Sequence, residues 1–174
     1  MKHLVKIFVV TFFLTFSNYA LAEQKIVYFD LKYVLNNSSA GKDAQSQLKK
    51  MFTNNQKSFE KKEEDLKKSE KDLISKQAAV SKKDYEKLAN ELRKKVADYQ
   101  KDRRKILDKI TNLRANAKEK LLKKINPILE DYLNKNNISI ILNKTSVVAS
   151  QKDSDITKTI IDQLNQEFPS IKLE

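Results

Sequence analysis

One long stretch of this sequence, residues 42–126, reads KDAQSQLKKMFTNNQKSFEKKEEDLKKSEKDLISKQAAVSKKDYEKLANELRKKVADYQKDRRKILDKITNLRANAKEKLLKKIN. It contains no glycine and no proline over 85 residues, and strong helix formers predominate. A single helix of that length would extend for about 130 Å at about 1.5 Å per residue, well beyond the size of an ordinary globular domain. The stretch therefore predicts an extended helical arm.

The apolar residues of this arm recur every seven positions, in two sets. The sets are Phe52, Phe59, Leu66, Leu73 and Val80 in the first half, and Tyr85, Leu92, Tyr99, Ile106 and Leu113 in the second. A seven-residue apolar repeat is typical of helices that pack along a shared coiled-coil seam. In the first half, the companion position is mostly polar, as at Asn55 and Lys62. We therefore expect a thin seam.

A predicted helix start divides the arm into two halves. Ser81 is followed three residues later by Asp84, a spacing that resembles a capping box, although Glu or Gln is more usual at the third position. A helix that begins at Ser81 can fold back along the first half and form an antiparallel hairpin. A single uninterrupted rod is the alternative.

The residues on either side of the arm have a different character. Short β-branched and aromatic runs at 25–30, 137–142 and 146–149 predict three strands. A short amphipathic helix from Ile156 to about Glu167 follows, with Asp155 as its cap.

The predicted fold is mainly α with a small β body (α+β), from which a long antiparallel coiled-coil hairpin projects. Residues 23–40 and 127–174 are assigned to the body, and residues 41–126 to the arm. So few short elements make a small core, and the sheet leaves unpaired edges. Self-association would cover both.

The first 22 residues have the features of an export signal. A basic start is followed by an apolar run at 7–16, and Ala20-Leu21-Ala22 fits a small-x-small cleavage site. The run is shorter than the roughly 20 residues that a membrane span needs. We expect cleavage after Ala22 and a periplasmic mature protein of 152 residues.

The composition argues against an enzyme. The one histidine, His3, lies in the signal, and the chain has no cysteine, which removes the usual thiol, imidazole and Cys-His metal sites. The one glycine, Gly41, provides no Gly-rich phosphate loop. We expect no catalytic residue, no cofactor and no metal.

The positive charge is concentrated on the arm. Residues 42–126 carry a formal net charge of +12, of which +9 lies in residues 82–126. Solvated ion pairs explain most mixed charges on helices, but an excess of this size also attracts anionic partners.

Both ends of the mature chain resemble the Skp/OmpH family of periplasmic chaperones. The matching motifs are Ile26-Val27-Tyr28-Phe29-Asp30-Leu31, Val34-Leu35-Asn36, Ala40-Gly41-Lys42, Ile138-Ser139-Ile140-Ile141-Leu142-Asn143, and Val148-Ala149-Ser150 leading to Asp155-Ile156-Thr157. The resemblance extends over the whole mature chain, and it is specific at the two ends.

This resemblance implies a homotrimer whose helical hairpins surround a cavity. It also implies that unfolded outer-membrane proteins, the clients, are held in that cavity without ATP, with lipopolysaccharide or another anionic lipid surface as a further candidate partner. The candidate client-binding residues are Arg93, Lys94, Lys95, Arg103 and Arg104. The candidate oligomerisation residues are Ile26, Val27, Tyr28, Phe29, Ile140, Ile141, Leu142, Val147 and Val148.

Two other functions fit parts of the sequence. A structural coiled-coil protein of the envelope fits the arm, but such a tether usually needs an anchor, and the sequence shows neither a lipidation cysteine nor a span. A nucleic-acid-binding protein fits the basic charge. The export signal, however, directs the chain away from nucleic acid, and we expect no physiological nucleic-acid partner.

Overall fold

The computed structural model describes residues 25–173, which fold into a small body and a long helical hairpin. The elements in chain order are β1 (Lys25–Phe29), α1 (Leu31–Asn37), α2 (Ser39–Ser75), α3 (Lys82–Lys135), β2 (Ile138–Asn143), two single 3₁₀ turns (Lys144–Ser146 and Lys152–Ser154) and α4 (Thr157–Glu167). The predicted export signal lies outside the described residues. The predicted fold class, a helical arm on a small β body, is confirmed.

The arm is an antiparallel hairpin of α2 and α3, so the alternative of an uninterrupted rod is wrong. The chain turns between Ser75 and Lys82, and Ser81 is the N-cap of α3. The Ser81 Oγ accepts a hydrogen bond from the backbone N–H of Asp84 at 3.2 Å and donates to the Asp84 carboxylate at 2.6 Å. The cap therefore forms as predicted, although the carboxylate receives the hydroxyl rather than the backbone N–H of a full capping box.

Helix α3 does not end before Pro127 but continues through it to Lys135. A proline inside a helix removes a hydrogen bond and costs about 3 kcal/mol. Ile125 and Ile128, on either side of it, are almost fully buried in the body, and their packing offsets this cost. Asn137, with a φ of 52°, then turns the chain into β2. The assignment of residues 41–126 to the arm stays a prediction.

The sheet has two strands where we predicted three. β1 and β2 are parallel, with Val27 opposite Ile141 and Phe29 opposite Asn143. The predicted third strand at 146–149 is wrong, because this segment has no partner strand within residues 25–173. Instead, the free edge of β1 is closed further along the chain, where the N–H of Ile156 donates to the carbonyl of Tyr28 at 2.9 Å.

Thr157 joins the start of α4 to the end of β1. Its hydroxyl accepts the backbone N–H of Asp30 at 2.9 Å and donates to the carboxylate of Asp155, which also accepts the backbone N–H of Thr157. Burial raises the pKa of Asp155, but the hydrogen bonds from Thr157 and the charge of Lys144 outweigh it and hold the pKa below its ordinary value. Asp155 therefore bonds the first residue of α4, as its predicted capping role requires, although Ile156 is the N-cap.

Gly41, the one glycine of the chain, lies where α1 and α2 touch. A Cβ at this position would lie well inside contact distance of the Leu35 carbonyl oxygen and 2.9 Å from the Oγ of Ser38. Ser38 is fully buried, and its Oγ caps α2 by accepting the N–H of Gly41 at 3.2 Å. The helix start has no room for a side chain here.

Replacing Gly41 with alanine should destabilise the protein, although alanine is the better helix former by about 1 kcal/mol. Overpacking typically costs about 1–3 kcal/mol, and an approach this close to a backbone carbonyl belongs to the upper part of that range, so we expect a net loss of about 1–2 kcal/mol and a melting temperature lower by roughly 2–8 °C. Ser46→Ala, at an exposed position of the same helix, is the matched control and should stay within about 0.5 kcal/mol of wild type. A Gly41→Ala protein as stable as this control would contradict the close approach.

Candidate functional site

The outer part of the arm is held together by few buried side chains. Outward of Leu48 on α2 and Ile110 on α3, Tyr99 is the one buried residue in this part of the described chain. The Phe59 ring meets the Tyr99 ring edge to face, with centroids 5.8 Å apart and planes at 84°. The seam is therefore as thin as the polar companion positions predicted, and most apolar side chains of the outer arm are only partly buried.

One side of the hairpin carries a shallow apolar groove, which we call the arm groove. Its apolar lining comes from Phe52, Phe59, Leu66, Leu92, Val96, Ile106, Leu107 and Ile110. Two adjoining hollows of ≈ 580 and ≈ 420 Å³ follow it along the outer arm and share Glu63, Tyr99 and Arg103. Phe52, Val96 and Leu107 are 49%, 41% and 47% exposed, although each lies beside the seam. The groove offers an accessible apolar surface without a deep pocket.

The opposite side of the hairpin is polar. There the Lys62 Nζ and the Asp102 carboxylate form an ion pair between the two helices at 3.1 Å, and both side chains are about half exposed. Asp65, Lys95 and Asp98 lie along the same side. A pair this exposed contributes about 0–1 kcal/mol, so it does little to hold the arm closed. The two sides of the arm therefore present different chemistry.

The rim of the arm groove carries opposite charges on its two helices. Glu60, Glu63 and Glu70 line it from α2 together with Lys67, which leaves this rim net negative, and Arg93 and Arg103 line it from α3. A hydrogen bond from Lys67, together with its positive charge, lowers the pKa of Glu63, so this carboxylate stays ionised at neutral pH. A segment bound in the groove would have apolar surface beneath it, a negative rim on one side and a positive rim on the other.

The structure separates the five basic residues that the sequence proposed as client-binding. All five are exposed. Arg93 and Arg103 line the arm groove, whereas Lys95 lies on the polar side. Lys94 lies on the same face of α3 as Lys83, Glu86, Lys87 and Glu91, away from the groove. Arg104 lies five residues after Tyr99, about 140° around the helix from the seam, and so faces outward.

The proposed oligomerisation residues divide between the two faces of the sheet. Val27 and Phe29 are buried against the helices, and Ile141 packs against the same core. On the open face, Ile26 and Ile140 are 47% and 44% exposed and Val148 is fully exposed. The partly buried residues of the open face are Tyr28, Leu142 and Val147. The structure thus brings six of the nine residues together on one open apolar face.

Two further findings bear on the class of site. Residues 25–173 contain no cluster of histidine, cysteine, aspartate and glutamate that could hold a metal ion. Among the helices of the same range, none combines the length and the apolar character that crossing a membrane requires.

Comparison with known proteins identifies the family. The family model described as outer membrane protein (OmpH-like) matches residues 25–164. This chain belongs to the OmpH-like family. It is similar to a Skp-like protein of Pseudomonas aeruginosa, with 24% identity over 147 residues that span 84% of this chain and 88% of that protein. Membership confirms the resemblance seen in the motifs at the two ends of the chain.

The fold has a close match among solved structures. A crystal structure of an OmpH-like protein from Caulobacter crescentus, described as an outer membrane chaperone, superposes with a TM-score of 0.81. The match spans 88% of this OmpH-like chain and 90% of the other, at 16% sequence identity. The fold is therefore retained although few residues are shared.

Sequence reasoning missed the groove as a site. It assigned Phe52 to the seam, and it did not single out Leu107, which directly follows the seam residue Ile106. An apolar residue just outside the heptad positions is the signal that indicates accessible apolar surface. Which side of the seam this surface occupies depends on how the two helices pack.

Proposed function

We propose that this OmpH-like chain is an ATP-independent holdase chaperone of the periplasm, which binds unfolded outer-membrane proteins between basic helical arms and prevents their aggregation. The similarity to an OmpH-like outer membrane chaperone supports the chaperone role. The observation that carries the proposal is the arm groove. Its half-exposed Phe52, Val96 and Leu107 lie beside Arg103, on an arm with a net charge of +12.

The shape of the groove suits a protein that must bind many different sequences and release them without an energy source. Broad specificity requires adaptable surfaces rather than one complementary pocket. A fully buried apolar side chain contributes about 1.5–3 kcal/mol, and contacts in a shallow groove contribute less each. Affinity therefore comes from the sum of many weak contacts. Each contact can break separately, and the client leaves when a more stable folded state becomes available.

The positive charge of the arm would attract an acidic client before the two chains touch. Charges on an elongated, exposed element attract an oppositely charged chain over about one Debye length, roughly 8–10 Å at moderate ionic strength. Of the net charge, +9 lies on residues 82–126, and most of that stretch belongs to the outer arm. Acidic clients would therefore be captured faster than neutral ones.

The overall proposal is tested by sedimentation of the purified chain with an outer-membrane protein diluted from urea. We expect the client to stay in the supernatant and to sediment together with the chain. Addition of a chelator or a nucleotide should make no difference. Clients that aggregate at the same rate with and without an excess of the chain would contradict the holdase role.

The contribution of the groove is tested by replacing its exposed apolar side chains. Phe52→Ser, Val96→Ser and Leu107→Ser together should weaken client binding by about tenfold to a hundredfold, because three half-exposed apolar contacts of about 0.5–1 kcal/mol each are lost. Tyr33→Ser, at an exposed position of α1, is the control for the loss of exposed apolar surface. Equal affinities for the triple variant and wild type would show that clients bind elsewhere.

The role of the basic rim is tested with two charge reversals of equal size on the same helix. Arg93→Glu with Arg103→Glu alters the groove, whereas Lys94→Glu with Arg104→Glu alters residues that do not line it. Both pairs should slow association with an acidic client, because both reduce the positive field. Only the groove pair should also speed dissociation, because these two residues would contact the bound client. Each such exposed contact is worth about 0.2–1 kcal/mol.

Circular dichroism provides the control for helix formation, and the association rates are compared at low and high salt. Identical dissociation rates for the two pairs would show that the rim does not touch the client. Association rates independent of both charge and salt would show that the field has no part in capture.

We further propose that copies of this chain assemble through the open face of the sheet, and the family resemblance implies a trimer. The support is the apolar character of that face, where Ile26, Ile140 and Val148 are exposed in the single chain. The segment after β2 also has no strand partner within the described chain. An exposed apolar face beside an unpaired edge is a common site of self-association.

Ile140→Asp should separate the assembly without unfolding the chain. Ile140 is 44% exposed in the single chain, so an aspartate is tolerated there, whereas a buried unpaired carboxylate at an interface costs several kcal/mol. Sedimentation equilibrium should show a monomer with wild-type helix content. Ile74→Asp, at an exposed position near the arm tip, is the matched control and should leave the assembly intact. Dissociation by the control alone would place the interface on the arms.

A further inference from the structure

The residues that follow α4 form an extended strap across the base of the arm. Pro169 directly follows the C-cap residue Phe168, and residues 168–173, here called the strap, run without regular secondary structure. They lie against α2 through Asp43 and Gln47, and against α3 through Lys120 and Lys124. The strap therefore connects α4 of the body to both helices of the arm.

The backbone of the strap is held along its length by side chains of the arm. The N–H of Ile171 donates to the Asp43 carboxylate at 3.1 Å, and the Gln47 amide donates to the carbonyl of Ile171 at 2.6 Å. The same Gln47 side chain accepts the N–H of Leu173 at 3.4 Å. From α3, the Lys120 ammonium donates to the carbonyl of Lys172 at 3.2 Å. An irregular segment that finds partners for successive backbone groups is bound in one register.

The side chains of the strap are anchored as firmly as its backbone. Ile171 is 3% exposed and belongs to the main core of the body. Leu173 packs against that core and also against the second cluster, which Leu48 and Ile110 form at the base of the arm. Lys124 lies over the Phe168 ring, 5.6 Å from its centroid. The side chain of Lys172, between the two anchors, is exposed.

The strap lies on one side of the arm. Gln47 and Asp65 are 18 residues apart, which is five full turns of α2, so they share a face of the helix. Asp65 belongs to the polar side of the hairpin. The strap therefore braces the polar side of the base and leaves the arm groove uncovered.

The hydrogen bond from Ile171 also lowers the pKa of Asp43, so this acceptor stays ionised at neutral pH.

The position of the strap matters because the arm is a long lever. Helix α2 continues for 27 residues beyond Leu48, or about 40 Å at about 1.5 Å per residue. A rotation of about 10° at the base would move the tip by roughly 7 Å. Few buried contacts stabilise the arm beyond Leu48. The attachment of the arm to the body therefore decides whether the whole arm swings or whether only its outer part bends.

We propose that the strap is a brace, which fixes the base of the arm to the body and confines bending of the arm to the part beyond Leu48 and Ile110. Without the strap, the hairpin would pivot as a rigid unit at its junction with the body. With it, the base stays fixed and the outer arm flexes where the seam is thin.

The test measures distances with pairs of spin labels, and the absence of native cysteines makes each introduced cysteine unique. One pair, at Lys158 on α4 and Lys61 on α2, reports the arm relative to the body. The second pair, at Lys57 on α2 and Lys101 on α3, lies two residues from the Phe59–Tyr99 contact on its body side and reports the spacing of the two hairpin helices. Labelled chains are diluted into an excess of unlabelled chains, so that distances within one chain dominate.

Replacing both anchors, Ile171→Ser with Leu173→Ser, should broaden the distance distribution between 158 and 61 about twofold and leave that between 57 and 101 unchanged. Gln47→Ala, which removes two strap hydrogen bonds from an α2 side chain, should broaden it by a smaller amount. Lys172→Ser is the matched control within the strap, and Ser46→Ala is the control on α2. Both should match wild type.

Two results would overturn the brace. In the first, the distribution between 158 and 61 keeps its wild-type width while hydrogen exchange shows that the backbone amide at position 171 has lost its protection. In the second, the distance distributions of both label pairs broaden equally, which would show that the strap stabilises the hairpin itself rather than its attachment to the body. If the double variant does not fold, Gln47→Ala against Ser46→Ala decides the question. No client is present, so the result is independent of the proposed function.

Discussion

The parallel pairing of β1 with β2 is the constraint on which the rest of the structure depends. The two strands are separated along the chain by the whole arm, yet Val27 and Ile141 must lie side by side. The N–H and C=O groups of a buried strand need partners, and no other strand in the described chain provides them. The chain that leaves the body at α2 must therefore return to the same place, and only a hairpin brings it back.

The unequal lengths of the two arm helices follow from the same return of the chain to the sheet. Helix α3 has 54 residues and α2 has 37, and the additional turns of α3 lie in the body. There Leu121, Ile125 and Ile128 form the centre of the core, together with Val34 and Ile160. One helix thus belongs to both parts of the molecule. The body is compact because α3 passes through it, and the outer arm is open because there only α2 packs against α3.

This division explains how a weakly held arm can belong to a stable protein. The body joins distant segments through specific bonds, such as those of the buried Thr157 with Asp30 and Asp155. The outer arm depends on helix propensity, on the Phe59–Tyr99 contact and on exposed ion pairs of small value. Apolar side chains that a tighter seam would bury remain accessible in the arm groove. The strap lies at the transition, where the rigid part ends and the open part begins.

The two helices of the arm and the cap that divides them were determined locally, by the sequence itself. Helix propensity without glycine or proline, a seven-residue apolar repeat and a cap at Ser81 all act within a few turns of chain, and the structure agrees with each. The motifs at the two ends carried the resemblance to the family, and one of their residues, Gly41, lies where the structure has no room for a side chain.

Other features were decided only by tertiary structure. The run at 146–149 has strand propensity, but a strand also needs a neighbour, and the free edge of β1 is occupied instead by the segment at Asp155. Pro127 argues locally for a helix end, yet burial of Ile125 and Ile128 outweighs it. The exposure of Phe52 and Val96 depends on how the two arm helices pack. The burial of Ile171 depends on contacts with residues more than a hundred positions away. Propensity and periodicity act over a few residues, whereas burial depends on the whole chain.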